Sequence, residues 1–92
     1  MKAAIYNYTD WVGEVDPVQL KEVFNSMLLE SGHTVLGFNE HYFKPFGYSA
    51  IWLLSESHFA VHTFPEENKT YIELSSCSFE YFEAFKSLQL NL

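Results

Sequence analysis

Only one cysteine, Cys77, occurs in the 92 residues, so no disulfide can form within the chain and an oxidising compartment has no support. Cations are scarce too. Five lysines and arginines stand against twelve aspartates and glutamates, and the formal charge of -7 repels phosphate backbones and anionic membrane surfaces. Nucleic acid and membrane are therefore not expected partners. No apolar run reaches the length that spans a bilayer, and Met1-Lys2-Ala3-Ala4-Ile5-Tyr6-Asn7 lacks the long hydrophobic stretch of a signal peptide. The expected location is the cytoplasm. No serine sits in a Gly-x-Ser-x-Gly elbow and no glycine-rich phosphate loop is present, which argues against hydrolase and nucleotide-triphosphate chemistry. Repeats, linkers and low-complexity tracts are missing as well.

What is present is apolar and aromatic: 48% of residues are hydrophobic and 18% carry an aromatic ring, too many for a disordered chain. One domain over residues 1–92 is expected. A chain this short buries little more than about 60% of its unfolded surface, so pairing with a second copy would supply burial that one copy lacks.

Lys2 to Tyr8 reads as a first strand, with Thr9 to Glu14 as the connection after it. Asp16-Pro17 opens a helix: Asp16 can cap it, Pro17 suits the first turn, and Gln19 stands at the capping-box position. Leu20, Val23, Phe24, Met27 and Leu28 form its apolar stripe, and Gly32 ends it. Beyond Gly32 the period becomes two, through Leu36, Phe38 and Tyr42, before a turn at Lys44-Pro45-Phe46-Gly47. Tyr48 to Leu54 and Phe59 to Phe64 read as buried strands on either side of Ser55-Glu56-Ser57. After a turn from Pro65 to Lys69, Thr70 to Ser76 alternates as a strand, and Phe79, Phe82, Phe85 and Leu88 fall at helical spacing. Strand, helix, four strands, helix predicts an α+β fold, a two-layer sandwich in which two helices lie on one face of a mainly antiparallel sheet. The other face then needs cover, and the aromatic content fits a second subunit there.

The segment from Ser55 to Glu66 holds a pattern with chemical content. Ser57 follows Glu56, and His62 comes five positions later. A serine hydroxyl is a weak nucleophile, yet the carbonyl just before Ser57 is held beside it, so attack is intramolecular and the peptide bond can become an ester. A base that removes the Ser57 alpha proton then expels the ester. Hydrolysis of the dehydroalanine left behind, with loss of ammonia, makes a pyruvoyl group at the head of a new chain. Such a ketone can condense with a substrate amine as a Schiff base and draw electrons while carbon dioxide departs, the work that pyridoxal phosphate does elsewhere. Returning a proton to the substrate carbon requires an acid, for which the thiol of Cys77 is chemically suited.

Taken singly, these residues have ordinary roles. Ser57 can be a polar turn residue, His62 a strand histidine with one hydrogen bond, and Cys77 a small buried side chain. His58 and His62 do not suggest a metal site, because four residues of strand span roughly 13 Å, too far for two ligands of one ion. No metal is expected.

Taken together, the segments resemble the short prokaryotic class of the S-adenosylmethionine decarboxylase family, whose members cut their own chain before a serine. Phe43-Lys44-Pro45-Phe46-Gly47-Tyr48-Ser49 is similar to the family's Phe-x-Pro-aromatic-Gly-x-Ser segment. Leu54-Ser55-Glu56-Ser57-His58, then His62-Thr63-Phe64-Pro65-Glu66, then Cys77, follow at family spacing. The resemblance implies cleavage between Glu56 and Ser57, with Ser57 becoming the pyruvoyl cofactor, His62 acting as the processing base and Ser49 assisting. It implies that Cys77 is the proton donor in decarboxylation, that Phe43 and Phe64 stack on the substrate adenine, and that Glu66 holds the ribose. It further implies a homodimer with sites at its interface, and S-adenosylmethionine as substrate on the way to spermidine and other polyamines. Asn7 stands where the family usually carries an acidic residue near the substrate. This leaves open a different amino-acid substrate such as ornithine or arginine. An unprocessed binding or regulatory homologue is the alternative of another class, against which the joint presence of Ser49, Ser57, His62 and Cys77 argues.

Overall fold

A computed structural model of the chain describes residues 4–88. In chain order the elements are β1 (Tyr6–Val12), α1 (Pro17–Glu30), β2 (Val35–Tyr42), β3 (Tyr48–Leu54), β4 (Ser57–Phe64), β5 (Lys69–Ser76) and α2 (Phe79–Ser87), with one 3-10 turn at Pro65–Glu67. The strands form one sheet in the order β1-β5-β4-β3-β2, and every neighbouring pair is antiparallel.

Both helices begin on capping side chains. Asp16 accepts the Gln19 N–H at 3.3 Å and Ser78 accepts the Tyr81 N–H at 3.2 Å, satisfying donors that the first turn leaves free. At the other end of α1 the chain leaves through Gly32 at φ +101, and a Cβ there would lie 2.7 Å from the Tyr81 ring. Only glycine meets both demands without strain.

Alternation along the strands decides which face the helices cover. In β5, Thr70, Ile72, Leu74 and Ser76 are buried, while Lys69, Tyr71, Glu73 and Ser75 are half-exposed on the opposite side. Phe59 of β4 shows that α1 and α2 share one face, because its ring meets Phe24 of α1 at 4.9 Å and Phe85 of α2 at 5.4 Å. Leu20, Leu28, Trp52, Leu54, Val61, Ile72 and Leu74 complete a core in which each is at most 1% exposed. Each such side chain contributes about 1.5–3 kcal/mol on leaving water. The two-layer α+β sandwich expected from the element order is the observed architecture. Its open face carries Asn7, Thr9 and Trp11 of β1, Tyr71 and Glu73 of β5, His58 and His62 of β4, and Ser49, Ile51 and Leu53 of β3.

Three strand boundaries differ by two residues or more from the sequence expectation. The first strand continues through Val12 instead of yielding to a connection at Thr9, because Thr9 to Val12 pair with Glu73 to Thr70 of β5. Trp11 is held there between Tyr71 at 5.4 Å and Phe64 at 5.7 Å. The start of this strand is later than expected, since Ala4 and Ile5 precede the pairing that begins at Tyr6, and Lys2 and Ala3 lie outside the described residues. Ser57 is likewise a strand residue, paired with Leu54, so only Ser55 and Glu56 make the turn.

Candidate active site

The turn between β3 and β4 places Glu56 in the left-handed region, at φ 60. That conformation costs a residue bearing a Cβ about 1–2 kcal/mol, so the bond to Ser57 follows directly on a strained residue. Ser57 shares the helix-covered side of β4 with Phe59 and Val61 and is half-buried. Its Oγ accepts the Cys77 N–H at 3.2 Å and donates to Ser76 Oγ at 3.5 Å. Ser76 also meets His33 Nε2 at 3.2 Å, and His33 Nδ1 meets Ser31 Oγ at 2.9 Å. Burial holds His33 below the ordinary histidine pKa, which keeps its ring neutral at neutral pH. Glu56 and the exposed Cys77 line a cavity of about 180 Å³ together with His33, Ser55 and Tyr81. Ser57, Glu56 and Cys77 are thus brought to one end of the sheet.

Ser49 and His62 face each other across β3 and β4 on the open face, with Ser49 Oγ 2.8 Å from His62 Nδ1. They line a cavity of about 440 Å³ with Asn39, His41, Ile51 and Ala60. A polar anchor at this end ties β2 and β3 to α1: the Tyr48 hydroxyl donates to Glu40 at 2.7 Å, and Lys21 bonds the same carboxylate at 2.9 Å. The Tyr48 hydroxyl, then Lys21, hold the Glu40 carboxyl below its usual range, while burial and then Glu40 push the Tyr48 hydroxyl up. Phe43 and Phe64, 50% and 39% exposed, present their rings at this same end. Glu66 lies just beyond, in the 3-10 turn.

The candidate residues therefore fall into two sets at opposite ends of the β3–β4 hairpin. Ser57 opens β4 and His62 lies five residues along it, on the other face. Five residues of strand cover about 16 Å. Within one chain His62 does not reach Ser57.

Residues 6–92 match the family described as S-adenosylmethionine decarboxylase. The chain belongs to that family. Among its relatives, an S-adenosylmethionine decarboxylase proenzyme of Symbiobacterium thermophilum is 38% identical over 60 residues, covering 65% of this chain and 46% of that protein. One from Thermotoga petrophila is 35% identical over 78 residues, covering 82% of this chain and 60% of that protein. The chain thus spans about half to three-fifths of the length of these relatives. A crystal structure of the adenosylmethionine decarboxylase of Aquifex aeolicus has the same fold, with a TM-score of 0.72 at 20% identity, over 89% of this chain and 73% of that one. The expected S-adenosylmethionine decarboxylase fold and membership both hold.

Sequence reasoning had no role for Ser31, His33 and Ser76. The one hint was a histidine directly after the helix-ending Gly32, and its partner Ser76 lies 43 residues further on. Among the described residues no cluster of three or more potential metal ligands occurs, and no helix is long and apolar enough to cross a membrane.

Proposed function

We propose that the protein is a self-cleaving, pyruvoyl-dependent decarboxylase that cuts itself between Glu56 and Ser57 and acts on S-adenosylmethionine, yielding the aminopropyl donor of polyamine synthesis. The observation that carries this is the split of the site residues into two half-sites, one at each end of a sheet whose second face is open. Two copies stacked face to face and antiparallel bring the Ser49–His62 end of each over the Ser57 end of the other. Trp11, Ile51 and Leu53, 49%, 45% and 57% exposed on the open face, supply apolar area for that contact.

In this arrangement Ser57 Oγ attacks the carbonyl of Glu56, the residue held at φ 60, and the Cys77 N–H fixes the oxygen in place. His62 of the second copy, oriented by Ser49, removes the Ser57 alpha proton once the ester has formed. Ser57 suits conversion because its hydroxyl is already directed by two hydrogen bonds, and its neighbour Glu56 lines a cavity with Cys77. When formed, the pyruvoyl group supplies a carbonyl that engages a substrate amine and accepts electrons as carbon dioxide leaves. Phe43, Phe64 and Glu66 of the second copy hold the adenosine part, and Cys77 returns the proton.

A second substrate class, ornithine or arginine, is favoured by one observation. Asn7 lies on the open face opposite Ser75, which pairs in turn with His58, so an uncharged amide stands in the row next to Ser57.

Intact mass under denaturing conditions tests self-cleavage. Two fragments are expected, residues 1–56 and a shorter one lacking ammonia at its start; one full-length species after long incubation overturns the proposal. Carbon dioxide release from labelled S-adenosylmethionine, ornithine and arginine then separates the substrates, and release from arginine alone replaces the first choice. Cys77→Ala should still yield both fragments while decarboxylation drops by about 100-fold or more, the usual worth of a positioned acid. Unchanged turnover in that variant removes Cys77 from its role.

A further inference from the structure

Behind Ser57 lies a chain of polar side chains for which Ser49 and His62 leave no task. It runs from Ser57 through Ser76 and His33 to Ser31, and the last three are at most 5% exposed. The available protons set its direction. With the Ser31 hydroxyl donating to the Leu28 carbonyl at 2.9 Å, its oxygen accepts from His33 Nδ1 at the same distance. Nδ1 then carries the proton of the neutral ring, and Nε2 offers a lone pair to the Ser76 hydroxyl 3.2 Å away, in competition with the Ser78 carbonyl, which the same hydroxyl reaches at 3.2 Å while its oxygen accepts the Ser78 N–H. Ser76 Oγ in turn accepts from Ser57. The hydroxyl that must lose its proton is thus joined, through one other hydroxyl, to an unprotonated ring nitrogen. A histidine that only tied α1 to β5 would need hydrogen bonds and no particular basicity, and an amide would serve as well.

We propose that His33, acting through Ser76, positions and deprotonates the Ser57 hydroxyl for its attack on the Glu56 carbonyl. The inference rests on the self-cleavage proposed above and assigns the first step to residues of one chain, leaving the alpha-proton step to the second copy. The Ser57 proton moves to Ser76 Oγ as Ser76 passes its own to His33 Nε2. Ser57 Oγ bonds to the Glu56 carbonyl carbon, the bond from that carbon to the Ser57 nitrogen breaks, and the proton returns from His33 through Ser76 to that nitrogen. An amide becomes an ester and an amine with no atom gained or lost. The Ser57–Ser76 separation of 3.5 Å is long for two hydroxyls, as resting sites commonly are before the reacting groups tighten.

The test isolates ester formation in a His62→Ala background, where the second step is blocked and the ester is read by its scission with hydroxylamine. His33→Gln keeps hydrogen-bonding groups for Ser31 and Ser76 but cannot take up a proton. Added to that background, it should slow ester formation by about 100-fold. Ser76→Ala should do the same, Ser76→Thr should restore the rate by restoring the hydroxyl, and His33→Gln with Ser76→Ala together should be no slower than either alone. Ester formation within about threefold of the parent in the His33→Gln chain overturns the relay, since a positioned base is worth far more. Should that variant fail to fold, the nitrogen-15 shifts of His33 in the uncleavable Ser57→Ala chain decide: a bare Nε2 upholds the relay and a protonated Nε2 overturns it. A wild-type chain that never cleaves overturns self-cleavage and relay together. Cleavage of wild type and His33→Gln at equal rates overturns the relay alone.

Discussion

Ser57→Ala should remain a single chain of 92 residues under denaturing conditions and release no carbon dioxide above background from any substrate. The loss is complete because the hydroxyl is both the nucleophile that breaks the chain and the atom whose departure creates the carbonyl. No neighbour substitutes for it. Ser55 lies on the far side of the scissile bond, and Ser76, though 3.5 Å away, has its own backbone in the next strand. The fold should survive, since the side chain makes two hydrogen bonds from a half-buried position and an alanine fits the same strand. A cost of about 1 kcal/mol is expected from the Cys77 N–H left without its acceptor. Thermal unfolding close to wild type, together with an unbroken chain, is the expected pair of measurements. Cleavage in this variant would move the cut site elsewhere.

The second large effect is restored activity on mixing two inactive proteins. Ser57→Ala lacks the nucleophile and keeps His62; His62→Ala keeps the nucleophile and lacks the base. Each alone should yield no pyruvoyl-bearing fragment. Mixed under conditions where subunits exchange, they pair so that one site in each mixed dimer holds both groups, and initial processing should recover to about a quarter of the wild-type rate. The observation behind this is the placement of Ser57 and His62 at opposite ends and on opposite faces of β4. No recovery, with exchange verified by mass, would mean that His62 serves its own chain after a rearrangement of the hairpin.

The features that sequence made legible are those whose signals are local. Asp16, Pro17 and Gln19 mark a helix start within four residues, and the alternation from Thr70 to Ser76 reports a strand with one buried face. The spacing of Phe43, Ser49, Ser57, His62 and Cys77 carried the family resemblance in the same way. What stayed hidden depends on partners distant in the chain. Thr9 to Val12 read as a connection because their strand character comes from pairing with β5, some sixty residues on. The short interval between Ser57 and His62 does not tell that an extended strand carries them to separate ends. His33 belongs to the same class: its meaning lies in Ser76, and nothing near it in sequence points there.

The sheet order has a consequence for the proposed cut. Residues 1–56 keep β1, α1, β2 and β3, while residues 57–92 keep β4, β5 and α2. Because the order is β1-β5-β4-β3-β2, the two strands of the shorter piece are clasped between strands of the longer one. Six aligned residue pairs join β4 to β3 and seven join β5 to β1. Neither piece can leave without opening both ladders and uncovering Phe59, which packs between α1 and α2. Breaking the peptide between Glu56 and Ser57 would therefore release no fragment. It would convert one polypeptide into an interlocked pair whose parting and whose unfolding are the same event.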